Sequence, residues 1–141
     1  MLLALFAVVI AGRVFVMVNP AYMRRELSFQ LNDAGVDMMI CLDAFWPKIS
    51  ALRNGLPVKK YFITGPADWL HFPKNYIYRS KDMAETSKLE IKYDKETVFP
   101  WSDLLENGNG LTRPKADAET IAALQYTGGT TGESKGVMLT H

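Results

Sequence analysis

The sequence predicts an α/β fold: a partial doubly wound parallel sheet with flanking helices, ending in a strand–loop–strand hairpin. Two observations predict the sheet. Apolar, β-prone runs recur at 14–18, 36–42 and 58–64, and helix-like segments separate them. A third observation predicts the hairpin, because a glycine- and threonine-rich segment at 126–136 lies between an apolar run and a β-prone run. Strands that alternate with helices at this spacing form right-handed βαβ units, so we expect a parallel, flavodoxin-like sheet.

Length and composition set the class of the protein. The chain has 141 residues, of which 48% are hydrophobic and 22% charged, within the range of one globular domain. A net charge of +1 gives no reason to expect a nucleic-acid partner. One cysteine excludes an intramolecular disulfide and, with only two histidines, disfavours a structural zinc site. We expect residues 1–141 to be a fragment of a longer cytoplasmic protein.

The first elements follow from hydrophobic patterning. Residues 1–12 are apolar, but no charge precedes them as in a signal peptide, and the run is shorter than the about 20 residues of a membrane span. They predict a helix that ends near Gly12, followed by a buried strand. Asn19-Pro20 is typical of a helix start, and Met23, Leu27 and Leu31 share one face of the helix that should follow.

The middle of the chain divides into a regular and an irregular part. The runs at 36–42 and 58–64 are nearly continuous in apolar residues, which is typical of buried parallel strands. Between them, Asp43 is expected to cap a short helix. Residues 65–118 mix aromatic and basic side chains without helical periodicity, apart from a short helix expected near Pro100. We favour packing of these aromatics on the sheet, with peripheral contact at a membrane surface as the alternative.

The segment 126–136 contains the residues best suited to bind a ligand. Its glycines allow backbone N–H groups to converge on an anion, its hydroxyls can contact phosphate or Mg²⁺, and Lys135 adds a mobile positive charge. It is not a Walker A loop, because Gly136 follows the lysine where serine or threonine is required. The sequence therefore predicts a phosphate-binding loop at 126–137. The candidate ligand-binding residues are Tyr126, Thr127, Gly128, Gly129, Thr130, Thr131, Gly132, Ser134, Lys135 and Gly136.

This order resembles the signature loop of the adenylate-forming (AMP-binding) superfamily, Tyr-Thr-Ser-Gly-Thr-Thr-Gly-x-Pro-Lys-Gly. The chain departs from it at Gly128 and Ser134, and Gly128 resembles the variant found in long-chain fatty acyl-CoA synthetases. The matching positions are Tyr126, Thr127, Gly129, Thr130, Thr131, Gly132, Lys135, Gly136, Thr140 and His141. A second segment is similar to the Asn-Pro-x-Tyr helix of the same ligases, at Val18-Asn19-Pro20, Tyr22, Arg25-Glu26-Leu27, Leu31 and Asp33-Ala34-Gly35.

The resemblance implies that residues 1–141 are an incomplete N-terminal adenylation domain, without the C-terminal domain. It implies a fragment of a fatty acid–CoA ligase that uses ATP, Mg²⁺ and coenzyme A and is inactive alone. It implies that Lys135 and Thr131 are catalytic, that the loop holds the β- and γ-phosphates, and that Thr127 helps to place Mg²⁺. Two alternatives stay open: another adenylate-forming enzyme, of the peptide-synthetase or aryl-acid type, and a non-catalytic nucleotide-binding module. Acyl chain length and oligomeric state are not predicted.

Overall fold

The computed structural model describes residues 2–78, 91–106, 114, 117–127 and 134–141. The chain forms two compact units, one of residues 1–36 with 108–141 and one of residues 37–107. The helices are α1 (Leu2–Ile10), α2 (Arg24–Asp33), α3 (Trp46–Ser50), α4 (which includes residues 74–78) and α5 (Trp101–Glu106). The strands are β1 (Phe15–Val16), β2 (Met38–Leu42), β3 (Lys60–Thr64), β4 (Val98–Pro100), β5 (Ile121–Thr127) and β6 (Lys135–Thr140).

The first unit is built on the sheet β1-β5-β6. β1 runs parallel to β5, with Phe15 opposite Ala123, and β5 and β6 form an antiparallel hairpin. Leu27 and Leu31 of α2 are buried, and so are Ala122 and Ala123 of β5. The Gln30 side chain is fully buried, and its Nε2 donates a hydrogen bond of 2.9 Å to the carbonyl oxygen of Met17. This bond joins α2 to the backbone just after β1.

The second unit is built on the parallel sheet β2-β3-β4. Its core contains Tyr61 and Ile63 of β3 and Val98 of β4, all nearly inaccessible to solvent. The ring of Trp46, on α3, meets Tyr61 edge to face at 5.5 Å between centroids, a geometry that suits the quadrupoles of the two rings. Short 3-10 turns flank α3 and follow β3, at Asp43–Phe45, Arg53–Gly55 and Pro66–Trp69.

The expected mixed α/β fold is confirmed, and so is its terminal hairpin. The strands predicted at 36–42 and 58–64 appear as β2 and β3, which pair in parallel. The partner of the strand predicted at 14–18 differs from the expectation, since β1 pairs with β5 and is not part of the sheet of β2 and β3. Hydrophobic periodicity identifies a strand but does not select its partner when the pairing is distant in sequence.

The start of α2 also differs from the prediction. Asn19 and Pro20 form a turn, in which the N–H of Tyr22 donates to the carbonyl of Asn19 at 3.1 Å, and the helix begins only at Arg24. Met23 takes the N-cap position, and Glu26 reaches back to accept the Met23 N–H at 2.7 Å. The carboxylate of Glu26 thus satisfies a backbone donor that the helix itself leaves free.

The irregular segment at 65–118 contains elements that the sequence did not reveal, namely α4 and β4. Its expected short helix is present as α5. Trp69 contacts Trp101 of α5, with 5.9 Å between the ring centroids, but it is 50% exposed, and Phe72 and Tyr76 are 82% and 71% exposed. The packing of these aromatics on the sheet stays a prediction. Among the helices within the described ranges, none has the length and hydropathy that crossing a membrane requires.

Candidate functional site

The hairpin of β5 and β6 brings the two ends of the predicted phosphate loop together. Tyr126 is paired with Gly136, and Thr127 with Lys135, which is the last pair before residues 128–134 connect the strands. The side chains of Thr127 and Lys135 are exposed, whereas Tyr126 is buried. Because side chains alternate between the faces of a strand, the hydroxyl and the ammonium group leave the hairpin on the face opposite the tyrosine.

The ring of Tyr126 lies directly against the backbone of Gly136. A Cβ at position 136 would stand 3.0 Å from the Cζ of the ring and 3.3 Å from its hydroxyl oxygen, which is closer than ordinary van der Waals contact. Glycine at this position therefore lets the ring cover the opposite strand. Both residues were predicted to bind nucleotide; their observed contacts are with each other.

The hydroxyl of Tyr126 donates a hydrogen bond of 2.5 Å to Oδ2 of Asp33, the last residue of α2. Burial of the ring raises the pKa of Tyr126 to about 12, and the hydrogen bond to Asp33 and its negative charge act in the same direction. The phenol thus keeps its proton at any physiological pH and serves as a permanent donor to the carboxylate. Asp33 was missed as a site residue, although an acidic residue in the last turn of a helix was a visible anomaly.

Of the other residues predicted to bind in the loop, some are described by the structure and some lie outside the described residues. Ser134, half-buried, lies next to Lys135 at the start of β6. Gly128, Gly129, Thr130, Thr131 and Gly132 lie outside the described residues, so the catalytic role predicted for Thr131 stays a prediction, as does the phosphate contact of Lys135.

The described part of the hairpin fits a nucleotide phosphate and, in one respect, Mg²⁺. Lys135 offers a mobile cation and Thr127 a hydroxyl, both open to solvent. In the described ranges, His, Cys, Asp and Glu side chains form no group of three or more that could hold a metal ion. Mg²⁺ commonly keeps several waters and is held by substrate phosphates and one or two carboxylates. The described part of the hairpin has no carboxylate, so Thr127 offers one hydroxyl ligand only.

Comparison with known proteins adds independent findings. A family model described as AMP-binding enzyme matches residues 1–141. A long-chain-fatty-acid–CoA ligase of Bacillus subtilis (strain 168) is 42% identical in an alignment 140 positions long, which covers 96% of this chain and 24% of the relative. A 3-methylmercaptopropionyl-CoA ligase of Ruegeria lacuscaerulensis is 31% identical in an alignment 137 positions long, which covers 93% of this chain and 21% of the relative. The chain spans about a quarter of the length of the curated relatives it matches.

Solved structures share the fold. An anthranilate CoA ligase in complex with anthranoyl-AMP superposes with a TM-score of 0.72 at 21% identity, over 98% of this chain and 22% of that one. A long-chain-fatty-acid-CoA ligase from Archaeoglobus fulgidus superposes with a TM-score of 0.69 at 22% identity, over 99% of this chain and 22% of that one.

Proposed function

The chain belongs to the AMP-binding enzyme family, and from this premise we propose that it is part of an ATP-dependent fatty acid–CoA ligase and supplies its phosphate-binding hairpin. The observation that carries the proposal is the pairing of Thr127 with Lys135 at the mouth of the β5–β6 hairpin. The pairing presents a hydroxyl and a cation together at the two ends of a glycine- and threonine-rich connection. The long-chain ligase relatives support the choice of a fatty acid as substrate.

The proposed reaction has two steps. An oxygen of the fatty-acid carboxylate attacks the α-phosphorus of ATP, and the bond to the β-phosphate oxygen breaks, giving acyl-AMP and pyrophosphate. The thiol of coenzyme A then loses its proton to solvent and attacks the acyl carbon, and the bond between that carbon and the AMP oxygen breaks, giving acyl-CoA and AMP. In such phosphoryl chemistry a protein contributes mainly by holding the reactants in line and by neutralising charge.

The residues of this chain act on the outer phosphates. The ammonium group of Lys135 offsets negative charge that develops as pyrophosphate leaves, and Thr127 and Ser134 donate from their hydroxyls. Thr131 and the backbone N–H groups of 128–132 complete this set in the proposal. Mg²⁺, held chiefly by the phosphates with Thr127 beside it, would supply further charge neutralisation.

Replacement of Lys135 by alanine in the full-length protein tests the proposal. We expect the rate of fatty-acid-dependent exchange between ATP and labelled pyrophosphate to fall about 10²- to 10³-fold, because one charge that stabilises the leaving group is lost. Lys59→Ala is the matched control, since Lys59 is an exposed lysine that precedes β3. A wild-type protein that catalyses no exchange with any carboxylate would favour a non-catalytic nucleotide-binding module, and an unaffected Lys135→Ala variant would remove Lys135 from the mechanism.

A second candidate is an adenylate-forming enzyme for a short acid. The match to the 3-methylmercaptopropionyl-CoA ligase favours it, because that relative is named for a short thioether acid. The same exchange assay, run with acids from propionate to palmitate, separates the two. Activity that rises with chain length supports the fatty-acid ligase, and activity restricted to short acids supports the second candidate.

We place the ligase in the cytoplasm with peripheral contact to a membrane. Its proposed substrate is an amphiphile that dissolves in membranes. The segment from Trp69 to Ile77 exposes aromatic and aliphatic side chains beside Lys74, and Phe72 is the most exposed of them at 82%. Aromatic rings beside a basic residue suit the interface between lipid headgroups and acyl chains.

A further inference from the structure

We propose that Asp33 is a positioning residue for the phosphate-binding hairpin, acting through Tyr126 to fix the strand pair from which Thr127 and Lys135 project. The inference rests on the proposed function and extends it to a residue outside the loop, 93 positions earlier in the chain. It follows from three features of the first unit: the two faces of the hairpin, the hydrogen bond at its back, and the anchoring of α2.

Next to the connecting loop, the two faces of the hairpin differ: we propose that one faces the ligand and that the other supports the strand pair. Thr127 and Lys135 form the last cross-strand pair and are exposed on one face. The preceding pair, Tyr126 and Gly136, turns the opposite way, and the tyrosine ring lies across the glycine backbone. A displacement of the ring would therefore change the separation or tilt of the two strands one residue away from Thr127 and Lys135.

A hydrogen bond joins that ring to α2. The hydroxyl of Tyr126 donates to Oδ2 of Asp33 at 2.5 Å. Close packing against Gly136 already limits the movement of this buried ring. The hydrogen bond is directional, so it adds a fixed point for the hydroxyl end of the ring.

Asp33 can serve as a reference point because α2 is itself anchored. Leu27, Gln30 and Leu31 are buried, and the amide of Gln30 is bonded to the Met17 carbonyl just after β1, the parallel neighbour of β5. The carboxylate of Asp33 thus stands on a helix joined to the same sheet that it braces through Tyr126.

The location of Asp33 within α2 supports the same inference. A negative charge at the C-terminal end of a helix is repelled by the helix dipole, and α2 carries no basic residue in its last turn to offset it. Position 33 is therefore unfavourable for aspartate as far as the helix is concerned. The hydrogen bond from Tyr126 supplies a favourable interaction that the helix lacks.

The test is a double-mutant cycle in the full-length protein, with Asp33→Ala, Tyr126→Phe and both together. Tyr126→Phe keeps the ring and removes only the hydroxyl, so it remains informative if Asp33→Ala folds poorly. In fatty-acid-dependent pyrophosphate exchange, we expect each single variant to raise KM for ATP about tenfold, with KM for the fatty acid unchanged. The double variant should be no worse than either single one, because both remove the same interaction.

Asp33→Asn is the conservative variant, since its amide oxygen still accepts the phenol proton without the negative charge. We expect it to restore more than half of the affinity lost in Asp33→Ala. Unchanged KM for ATP in both single variants, with only a lower thermal midpoint, would overturn the proposal in favour of a purely structural bond. Additive effects in the double variant would also overturn it.

The failure of this inference is distinct from failure of the proposed function. A wild-type protein without carboxylate-dependent exchange overturns both, because no ATP reaction then remains for Asp33 to support. If the wild-type protein catalyses pyrophosphate exchange and the Asp33 and Tyr126 variants have the same KM for ATP as the wild type, only the positioning role is overturned.

Discussion

At Gly136 the absence of a side chain has a packing explanation that the sequence pattern did not suggest. Glycine in a phosphate loop is usually explained by backbone freedom or by close approach of a ligand. Here the ring of Tyr126 occupies the space that a Cβ would need. The missing Cβ therefore makes room for the ring on the face that Tyr126 covers.

Gly136→Ala is therefore expected to destabilise the protein by about 1–3 kcal/mol, since the new methyl group forces the tyrosine ring or the strand to shift. The free energy of unfolding, measured in urea, checks this. Gly55→Ala is the matched control, because nothing lies within 4 Å of a Cβ at that position. If both variants lose the same stability, the ring of Tyr126 can move aside without penalty, and the packing explanation of Gly136 is wrong.

At the scale of elements, Asp94 organises the start of β4. Its Oδ1 accepts the backbone N–H groups of Glu96, Thr97 and Val98, and its Oδ2 accepts the Thr97 hydroxyl at 2.6 Å. Lys95, inside this turn, has a φ of 58°, a left-handed conformation that needs such support in a residue with a side chain. One carboxylate thus directs the chain into the strand that completes the parallel sheet of the second unit.

These interactions give the stability of the protein a defined dependence on pH. The hydrogen bond from the Thr97 side chain, followed by those from the backbone N–H groups, holds the pKa of Asp94 well below its ordinary value of 3.8. A carboxyl group with a lowered pKa in the folded state stabilises the fold above its ordinary pKa, and this contribution is lost as the pH falls below that value. We expect Asp94→Asn to be less stable than wild type at neutral pH, with a difference that narrows below pH 3.8.

Urea unfolding midpoints across the acid range measure this difference. Glu106→Gln, at the exposed end of α5, is the control for loss of one negative charge. A gap between wild type and Asp94→Asn that stays constant with pH would show that the stabilisation does not depend on ionisation of this carboxyl group.

The elements also show which parts of the fold could be predicted from sequence patterns. β2 and β3 could be predicted because buried parallel strands are almost uniformly apolar, and the hairpin because its loop has a distinctive composition. β4 has only three residues, which is too few to show the alternation of a strand. The turn before it depends on side-chain hydrogen bonds, which a hydrophobic pattern does not reveal. The pairing of β1 with β5 and the bond from Tyr126 to Asp33 join distant segments, so local patterns contain no information about them.

At the scale of the whole molecule, the structure agrees with the predicted fold and hairpin. It also shows a segment with several exposed apolar side chains. Trp69, Phe72, Tyr76 and Ile77 expose between 50% and 82% of their surface within one short segment of the second unit. Lys74 lies among them and is also exposed. Scattered exposed apolar side chains are common on proteins, but several within nine residues are typical of a surface that contacts another part of the protein, a partner or a membrane.

The proposed ligase would use this segment to collect its substrate from a membrane. We expect the full-length protein to sediment with vesicles that contain anionic phospholipid, and Phe72→Ser combined with Tyr76→Ser to lower the bound fraction several-fold, since two of the most exposed rings are removed. Leu105→Ser is the control, because Leu105 is 55% exposed on α5, outside the segment. Because Lys74 would add only an electrostatic component, raised salt should weaken binding without abolishing it. Equal binding by the double variant and the wild type would mean that these rings face another part of the protein, and that the fatty acid reaches the enzyme from solution.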